Sequence, residues 1–188
     1  EVRGPVLETE CRELNRGYLK YRRTGHPWVT LKWAQSLDGR LATATGDSRW
    51  ISSPDGLRLA HTLRAENDAV LVGVNTALAD DPRLTVRHVS GHNPFRVILD
   101  SQLRLSPEAA LFQDLSSPVL IFTSASASPE RSAQLRDKGA EVAALPLTNE
   151  GHLSLEALLD ELGRRGILYL LVEGGARVIT SFLRLGLY

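Results

Sequence analysis

The chain is poor in cysteine and carries no excess of either charge. Its single cysteine, Cys11, cannot form an intrachain disulfide or a cysteine-based zinc site, which fits a reducing cytoplasm. Because 22 basic side chains balance 22 acidic ones, general binding to nucleic acid or to a membrane surface is disfavoured. No apolar run approaches the roughly 18 residues that a membrane-spanning helix needs, and the start does not look like a signal peptide. We therefore expect a soluble, cytoplasmic protein with no nucleic-acid or membrane partner.

Apolar segments and helix signals alternate along most of the 188 residues. Nearly continuous apolar runs predict strands covered on both faces, at 68–74, 94–100, 118–124 and 167–175. Two further strands are predicted at 28–35 and 140–147. The chain is long enough to bury a sizeable core as one domain, or as one domain with an appendage.

Helices are predicted between these strands. Ser53 and Ser128 each precede a proline and an acidic residue, the pattern of a capped helix start. In segment 154–166, leucines recur at i, i+3, i+4 and i+7 from Leu155, as on one face of a helix. Strands separated by helices predict an α/β fold with a mostly parallel central sheet flanked by helices on both faces. Ligands of such sheets bind at the carboxyl ends of the strands, so functional residues should follow the apolar runs.

Residues 1–25 differ from the rest in being charged and helix-prone. Gly25 and Pro27 mark the end of this segment. A narrow apolar stripe could run along it, formed by Leu7, Leu14, Tyr18 and Tyr21. We interpret it as a surface helix or a connector, and residues 26–188 as the main domain.

Polar residues follow two of the predicted strands. Glu173 ends an apolar run, where a carboxylate is costly to bury without a partner, so it either lies exposed at the rim or serves a site. Gly174 and Gly175 then lead into a helix, and such a corner lets a phosphate approach the backbone, although any strand–helix corner can use glycine. Lys32 alternates within the first strand and could equally face solvent.

Arginines concentrate in one part of the chain, which leaves a local anion site open despite the zero net charge. They are Arg40, Arg49, Arg64, Arg83, Arg87 and Arg96. For Arg64, near the end of a predicted helix, compensation of the helix dipole is the simpler explanation. The stretch NTALADDPRLTVR (75–87) is either a solvated turn or the place where a cofactor and a charged substrate meet.

The long polar loop at 36–52 also allows two interpretations. Asp38 and Gly39 are typical turn residues and need no function. Ser48, Arg49 and Trp50 combine a hydroxyl, a cation and an indole just before a helix start, where backbone N–H groups favour anions. The five histidines show no metal-binding spacing, so we expect no metal.

Five motifs occur in the order and rough spacing of a known family: TLKWAQSLDGRLA, GDSRWISSPDG, LRAENDAVLVGVNTALADDPRLTVR, RVILDS and VEGGA. Over about residues 27–188 the chain closely resembles the reductase domain of the bifunctional riboflavin-biosynthesis deaminase–reductase, which has a dihydrofolate-reductase-like fold. Residues 1–25 resemble the tail of the preceding deaminase domain.

The resemblance implies NADPH-dependent reduction of 5-amino-6-(5-phosphoribosylamino)uracil, a phosphoribosylaminopyrimidine. Its ribosyl group, opened to the imine, would accept hydride at C1′ and become a ribityl chain, with no need for metal or flavin. Substrate contacts are implied at Ser48, Arg64, Leu84, Arg87 and Glu173. Cofactor contacts are implied at Ala34, Trp50, Thr76, Asp80 and Ser101, and along a helix start at Gly175, Ala176, Arg177, Val178, Ile179, Thr180 and Ser181. The implied catalytic candidates are Lys32, Asp80 and Glu173.

The chain departs from the family's pattern in two ways. The family's domain continues beyond SFLRLGL, so we expect residues 26–188 to lack its last strands. The zinc deaminase signature is absent, so we expect no deamination by this chain. A homodimer and a fused or associated deaminase are implied partners. Three alternatives stay open: reduction of the non-deaminated diaminopyrimidine, a non-catalytic nucleotide-binding module that supports a separate deaminase, and dihydrofolate reductase. The last is disfavoured because two arginines and a serine suit a phosphate ester better than a pterin.

Overall fold

The structure is a computed structural model that describes residues 4–44 and 51–188. This part of the chain forms six β-strands, seven α-helices and a short 3-10 helix at Ala110–Phe112. The strands are β1 Trp28–Leu31, β2 Ala69–Gly73, β3 Phe95–Leu99, β4 Val119–Ser124, β5 Ala140–Leu145 and β6 Tyr169–Val172. The helices are α1 Glu8–Leu14, α2 Arg16–Thr24, α3 Pro54–Glu66, α4 Val74–Asp80, α5 Pro129–Asp137, α6 Leu155–Arg164 and α7 Ala176–Leu185.

The six strands form one sheet in the order β1-β6-β2-β3-β4-β5, and all five neighbouring pairs are parallel. Leu31 of β1 and Leu71 of β2 both pair with Val172 of β6, so these three strands end at nearly the same level. The carboxyl ends therefore meet at one edge of the sheet. The predicted α/β fold with a parallel sheet is confirmed.

Helices cover both faces of the sheet, as predicted. On one face, leucines of α6 and Phe182 of α7 pack against β-strand side chains such as Leu71 and Val97. On the other, Ala77 of α4 and Leu135 of α5 pack against their strand neighbours. Every residue of β2 and β4 is buried, because each of these strands lies under both layers. This explains their nearly continuous apolar sequences.

The starts of α3, α5 and α6 follow local sequence signals. The Ser53 hydroxyl accepts a hydrogen bond from the Gly56 N–H at 3.2 Å and caps α3. Ser128 and Ser154 cap α5 and α6 in the same way. Such a cap contributes about 1 kcal/mol of helix stability, because it satisfies an N–H group that has no partner within the helix.

Two elements differ from the sequence expectation. Residues 75–80, for which a solvated turn was one of two interpretations, form the helix α4 together with Val74, which was predicted to end a strand, because Val74 and Ala77 are buried against the sheet. The first strand ends at Leu31 rather than at residue 35.

Arg96 does not belong to the arginines that could bind an anion. It is buried on β3, and its guanidinium donates to the carbonyl oxygens of Leu111 and Ser117.

Residues 4–25 contain two helices rather than one, and α2 packs on the sheet. The Gly17 N–H donates to the Tyr169 hydroxyl at 3.2 Å, and a Cβ on Gly17 would collide with that ring. Arg16 lies over the Trp28 ring at 5.0 Å, which adds a cation–π contact. The predicted apolar stripe is mostly exposed in the described residues. No helix in the described ranges is long and apolar enough to span a membrane.

Candidate active site

Lys32 and Glu173 lie side by side at the carboxyl edge of the sheet. The Lys32 N–H donates to the Val172 carbonyl at 2.9 Å, and the Glu173 N–H donates to the Leu71 carbonyl at 3.0 Å. Both residues thus extend the parallel ladders by one step. Asp100 and Ser101 follow β3 at the same edge. These polar residues lie just after the strands, where functional residues were expected, and their function stays a prediction.

Glu173 forms a two-point ion pair with Arg64 of α3. Arg64 Nε donates to Oε1 at 2.7 Å and Nη2 donates to Oε2 at 2.6 Å. The side chains are only 12% and 8% exposed, so Glu173 is not the exposed rim residue that was one of the two sequence interpretations. Paired charge-assisted bonds of this kind are among the stronger polar contacts in proteins. They also give Arg64 a role beyond compensation of the helix dipole.

Arg64 and His61, one helical turn apart on α3, both hold the segment 84–87. Arg64 Nη1 donates to the Thr85 carbonyl at 3.2 Å. His61 Nδ1 accepts a hydrogen bond from the Arg87 N–H at 3.1 Å. The Arg87 side chain in turn donates from Nη1 to the Thr85 hydroxyl at 3.0 Å. This segment contains no helix or strand, so side-chain contacts take the place of sheet pairing.

The electrostatics of this cluster favour an anion. Arg64 and Arg87 bring two guanidinium groups beside the single carboxylate of Glu173. The pKa of Arg87 is lowered by burial and then by the nearby charges of Arg64 and Arg83. The pKa of His61 is lowered to about 4, chiefly by burial and then by Arg64 and Arg87. Unbalanced positive charge at a partly buried site is an arrangement that a bound phosphate would stabilise.

Leu84 holds an unusual backbone conformation next to this cluster. Its φ is 56°, in the left-handed region, which costs about 1–3 kcal/mol for a residue other than glycine. The residue is 1% exposed and its side chain packs in the core beside α4, so the core holds the backbone in place. The substrate contact expected at Leu84 stays a prediction, and its side chain is committed to the core.

The start of α7 is tied to α4 by a hydroxyl. Thr76 Oγ1 accepts a hydrogen bond from the Gly175 N–H at 2.9 Å. A Cβ on Gly174 would approach the Val72 Cα and the Gly73 N to 2.9 Å, so close packing of β6 on β2 accounts for that glycine. A Cβ on Gly175 would meet the Thr76 oxygen at 2.9 Å.

The first turn of α7 offers backbone N–H groups to an anion. Gly175, Ala176 and Arg177 are exposed, and the first N–H groups of a helix have no partner within it. The small residues leave the backbone open to a ligand. Farther along the helix, Ile179 is buried in the core, and the Ser181 hydroxyl donates to the Arg177 carbonyl at 3.0 Å. Among the predicted cofactor contacts that the structure describes, Ile179 is therefore the least accessible.

The other residues predicted to contact the cofactor differ in their exposure to solvent. Ala34 and Ser101 are half-buried, Val178 packs partly against the core, and Thr180 is exposed. Asp80 is exposed at the last residue of α4, one helical turn beyond Thr76. Ser48 and Trp50 lie outside the described residues. Within residues 4–44 and 51–188, no group of three or more His, Cys, Asp or Glu side chains is arranged to hold a metal ion.

The residues predicted from the sequence did not include His61 and Thr85, which connect the two arginines. The spacing indicated that His61 lies near Arg64, because it precedes Arg64 by three residues on a predicted helix and such residues share a face. The histidines had been considered only as metal ligands. Asn93 was also missed, and its Oδ1 accepts a hydrogen bond from the Val86 N–H at 2.7 Å.

Comparison with known proteins gives consistent matches. Residues 27–188 match the family described as RibD C-terminal domain. The riboflavin biosynthesis protein RibD of Aquifex aeolicus is 43% identical over 100% of this chain and 51% of that protein. The 2,5-diamino-6-ribosylamino-4(3H)-pyrimidinone 5′-phosphate reductase of Methanothermobacter thermautotrophicus is 46% identical over 86% of this chain and 73% of that protein.

A solved structure matches along most of the chain. It is a diaminohydroxyphosphoribosylaminopyrimidine deaminase/5-amino-6-(5-phosphoribosylamino)uracil reductase of Thermotoga maritima, with a TM-score of 0.78 and 37% identity. The match covers 95% of this chain and 48% of that chain. The chain spans about half the length of the curated RibD relatives it matches.

Proposed function

Because the chain belongs to the RibD C-terminal domain family, we propose that it is an oxidoreductase of riboflavin biosynthesis that uses a nicotinamide cofactor. The cofactor is NADPH and the substrate is 5-amino-6-(5-phosphoribosylamino)uracil. The reaction converts the ribosyl group of this phosphoribosylaminopyrimidine to a ribityl chain.

The arginine cluster is the observation that carries this proposal. Arg64 and Arg87 bring two guanidinium groups together at the carboxyl edge of the sheet, and Glu173 neutralises only one of them. A sugar phosphate supplies the missing negative charge. Arg64 already donates three of its N–H groups to Glu173 and Thr85, so Arg87 is the arginine with more capacity to bind phosphate. Ser48 and Leu84 are the further contacts proposed for the phosphate and the sugar, on the resemblance in sequence alone.

The N-terminal turn of α7, where the Thr76 hydroxyl fixes the Gly175 N–H, would hold the phosphates of the cofactor. Ala34, Trp50, Asp80 and Ser101 would supply its other contacts, as the resemblance in sequence implies. When bound, NADPH supplies the hydride that C1′ of the opened ribosyl imine accepts. Lys32 holds a positive charge at the strand ends beside Glu173 and stabilises charge or passes a proton as the sugar ring opens. Asp80 orients the nicotinamide or assists ring opening, and positioning supplies much of the rate.

A second substrate is supported by one of the relatives. The Methanothermobacter thermautotrophicus reductase is named for a diamino pyrimidinone, the form before deamination, and it matches 86% of this chain. The test is a spectrophotometric assay of NADPH oxidation with each of the two pyrimidine phosphates, and with dihydrofolate. Turnover of the uracil compound supports the proposal. If only the diamino compound is reduced, that compound is the substrate instead. Tight NADPH binding without any turnover identifies a non-catalytic module, and turnover of dihydrofolate alone overturns the assignment.

The phosphate contact has a matched control in the same stretch. Arg87→Ala should raise KM for the pyrimidine about 10- to 100-fold, the effect of one charge-assisted hydrogen bond, and leave NADPH affinity unchanged. Arg83, four residues earlier, is exposed and makes no described hydrogen bond, so Arg83→Ala should leave KM within about twofold. Equal KM values for wild type and Arg87→Ala would remove Arg87 from the phosphate site.

Two partners are proposed. The curated RibD relatives are about twice as long as this chain, which supports a deaminase domain, fused to it or associated with it, that would supply the uracil substrate. The homodimer is proposed on the resemblance in sequence alone. Light scattering of the protein, alone and with its deaminase, measures both associations.

A further inference from the structure

His61 is a buried histidine whose ring accepts a hydrogen bond from the backbone N–H of Arg87, one of the two arginines of the candidate site. It is 5% exposed, and its Nδ1 lies 3.1 Å from the Arg87 nitrogen. Because Nδ1 accepts this hydrogen bond, the neutral ring carries its proton on Nε2. The neighbouring His88 ring packs against it in a T-shaped arrangement, with the ring centroids 4.6 Å apart. The imidazole therefore has a defined orientation and a defined tautomer.

The segment 85–87 is held at three successive backbone groups. Arg64 binds the Thr85 carbonyl, Asn93 binds the Val86 N–H, and His61 binds the Arg87 N–H. The last of these contacts lies at Arg87 itself. If His61 is replaced by a residue without an acceptor, the Arg87 N–H loses its partner and the backbone that carries the guanidinium is no longer fixed.

We propose that His61 is a positioning residue that fixes the Arg87 backbone so that its guanidinium meets the phosphate of the substrate. The inference rests on the proposed function for the identity of that phosphate. It assigns His61 no contact with substrate or cofactor and no proton transfer. A merely structural histidine would affect stability alone, whereas this role requires that phosphate affinity depend on the acceptor at Nδ1.

The experiment uses ribose 5-phosphate as the probe, so that it does not depend on turnover. His61→Leu fills much of the ring volume but offers no acceptor, and His61→Asn places an amide oxygen near the position of Nδ1. Ribose 5-phosphate should bind about five- to tenfold more weakly to His61→Leu, and His61→Asn should recover most of that loss. NADPH affinity should not change. The control is His92→Ala, an exposed histidine of the same loop, which should bind like wild type.

Two further measurements separate positioning from stability. In the 15N-labelled wild-type protein, a scalar coupling across the hydrogen bond should connect the Arg87 nitrogen to His61 Nδ1. In an Arg87→Ala background, His61→Leu should weaken ribose 5-phosphate binding by less than twofold, because the two changes act through one group. This measurement also separates the proposal from a general effect on folding.

The outcomes distinguish this proposal from the proposed function. Weaker binding of ribose 5-phosphate by His61→Leu with recovery in His61→Asn supports the positioning role, even if neither pyrimidine is reduced. The proposal is overturned if wild type and His61→Leu bind the probe equally, if wild type does not bind it, or if the coupling is absent. If His61→Leu does not fold, the wild-type coupling and the affinity of His61→Asn decide.

Discussion

Arg64 and Glu173 lie 109 residues apart in the sequence, yet two hydrogen bonds of 2.7 and 2.6 Å join them in a setting where both side chains are almost fully buried. Arg64 comes from α3 and Glu173 from the end of β6, so the pair connects a helix on one face of the sheet to the edge where the cofactor and substrate are expected to meet. Its energetics can be tested separately from its function.

Removal of one partner should destabilise the fold strongly. Arg64→Ala leaves the Glu173 carboxylate buried and unpaired, and we expect a loss of about 3 kcal/mol in the free energy of unfolding, measured by urea titration. Arg12→Ala is the control, because Arg12 and Glu8 form a pair of 2.8 Å that is exposed and should contribute about 0.5 kcal/mol or less. The double variant Arg64→Met with Glu173→Leu should recover much of the stability without recovering reductase activity. Similar losses for Arg64→Ala and Arg12→Ala would contradict this account.

Thr76 should contribute to cofactor binding through the start of α7. Thr76→Val keeps the shape of the side chain but removes the acceptor of the Gly175 N–H, so the helix start is less well fixed. We expect the NADPH dissociation constant to rise about threefold to tenfold in a fluorescence titration. Thr76→Ser retains the hydroxyl and should bind NADPH like wild type. If the two variants bind equally, the hydroxyl does not serve this purpose.

Gly174 should tolerate no side chain. A Cβ there would lie 2.9 Å from two backbone atoms of β2, and backbone cannot move aside as a flexible side chain can. Gly174→Ala should lower the free energy of unfolding by about 2 kcal/mol, because the added Cβ forces β6 away from β2. It should also weaken NADPH binding, because Gly174 lies between Glu173 and the start of α7. Urea unfolding and the same fluorescence titration measure both effects. A variant as stable as wild type would show that this edge is not closely packed.

His61 should make stability depend on pH. Burial, followed by the charges of Arg64 and Arg87, lowers its pKa from 6.5 to about 4. Between these values the unfolded chain binds a proton on this ring that the folded chain does not, so stability falls as the pH drops from 6.5 toward 4. The full effect is roughly 3 kcal/mol at 1.36 kcal/mol per pH unit.

The variant His61→Asn isolates this contribution. It keeps His88, Glu173 and the two arginines, so the other titrating groups contribute equally to both proteins. Urea unfolding at several pH values should show that wild type loses more stability than the variant between pH 6.5 and 4. Parallel curves would mean that His61 titrates alike in the folded and unfolded chains.

Local sequence determined most of the secondary structure. Ser53 and Ser128 begin α3 and α5 as predicted, and the leucines of 154–166 face the core along α6. These features depend on neighbours within about four residues, which a sequence pattern records directly. The parallel sheet followed from the alternation of strands and helices, and with it the edge at which Lys32 and Glu173 lie.

The tertiary structure decided which polar groups meet. The seven residues of α4 are too few for a stable isolated helix, and burial of Val74 and Ala77 against the sheet makes them helical. Glu173 could be expected to need a partner because an unpaired buried carboxylate is costly, but the sequence did not name Arg64. Nor did it reveal that His61 holds the Arg87 backbone. These contacts join residues far apart in the chain, and they exist only because the fold packs α3 against β6 and the segment 84–87 against α3.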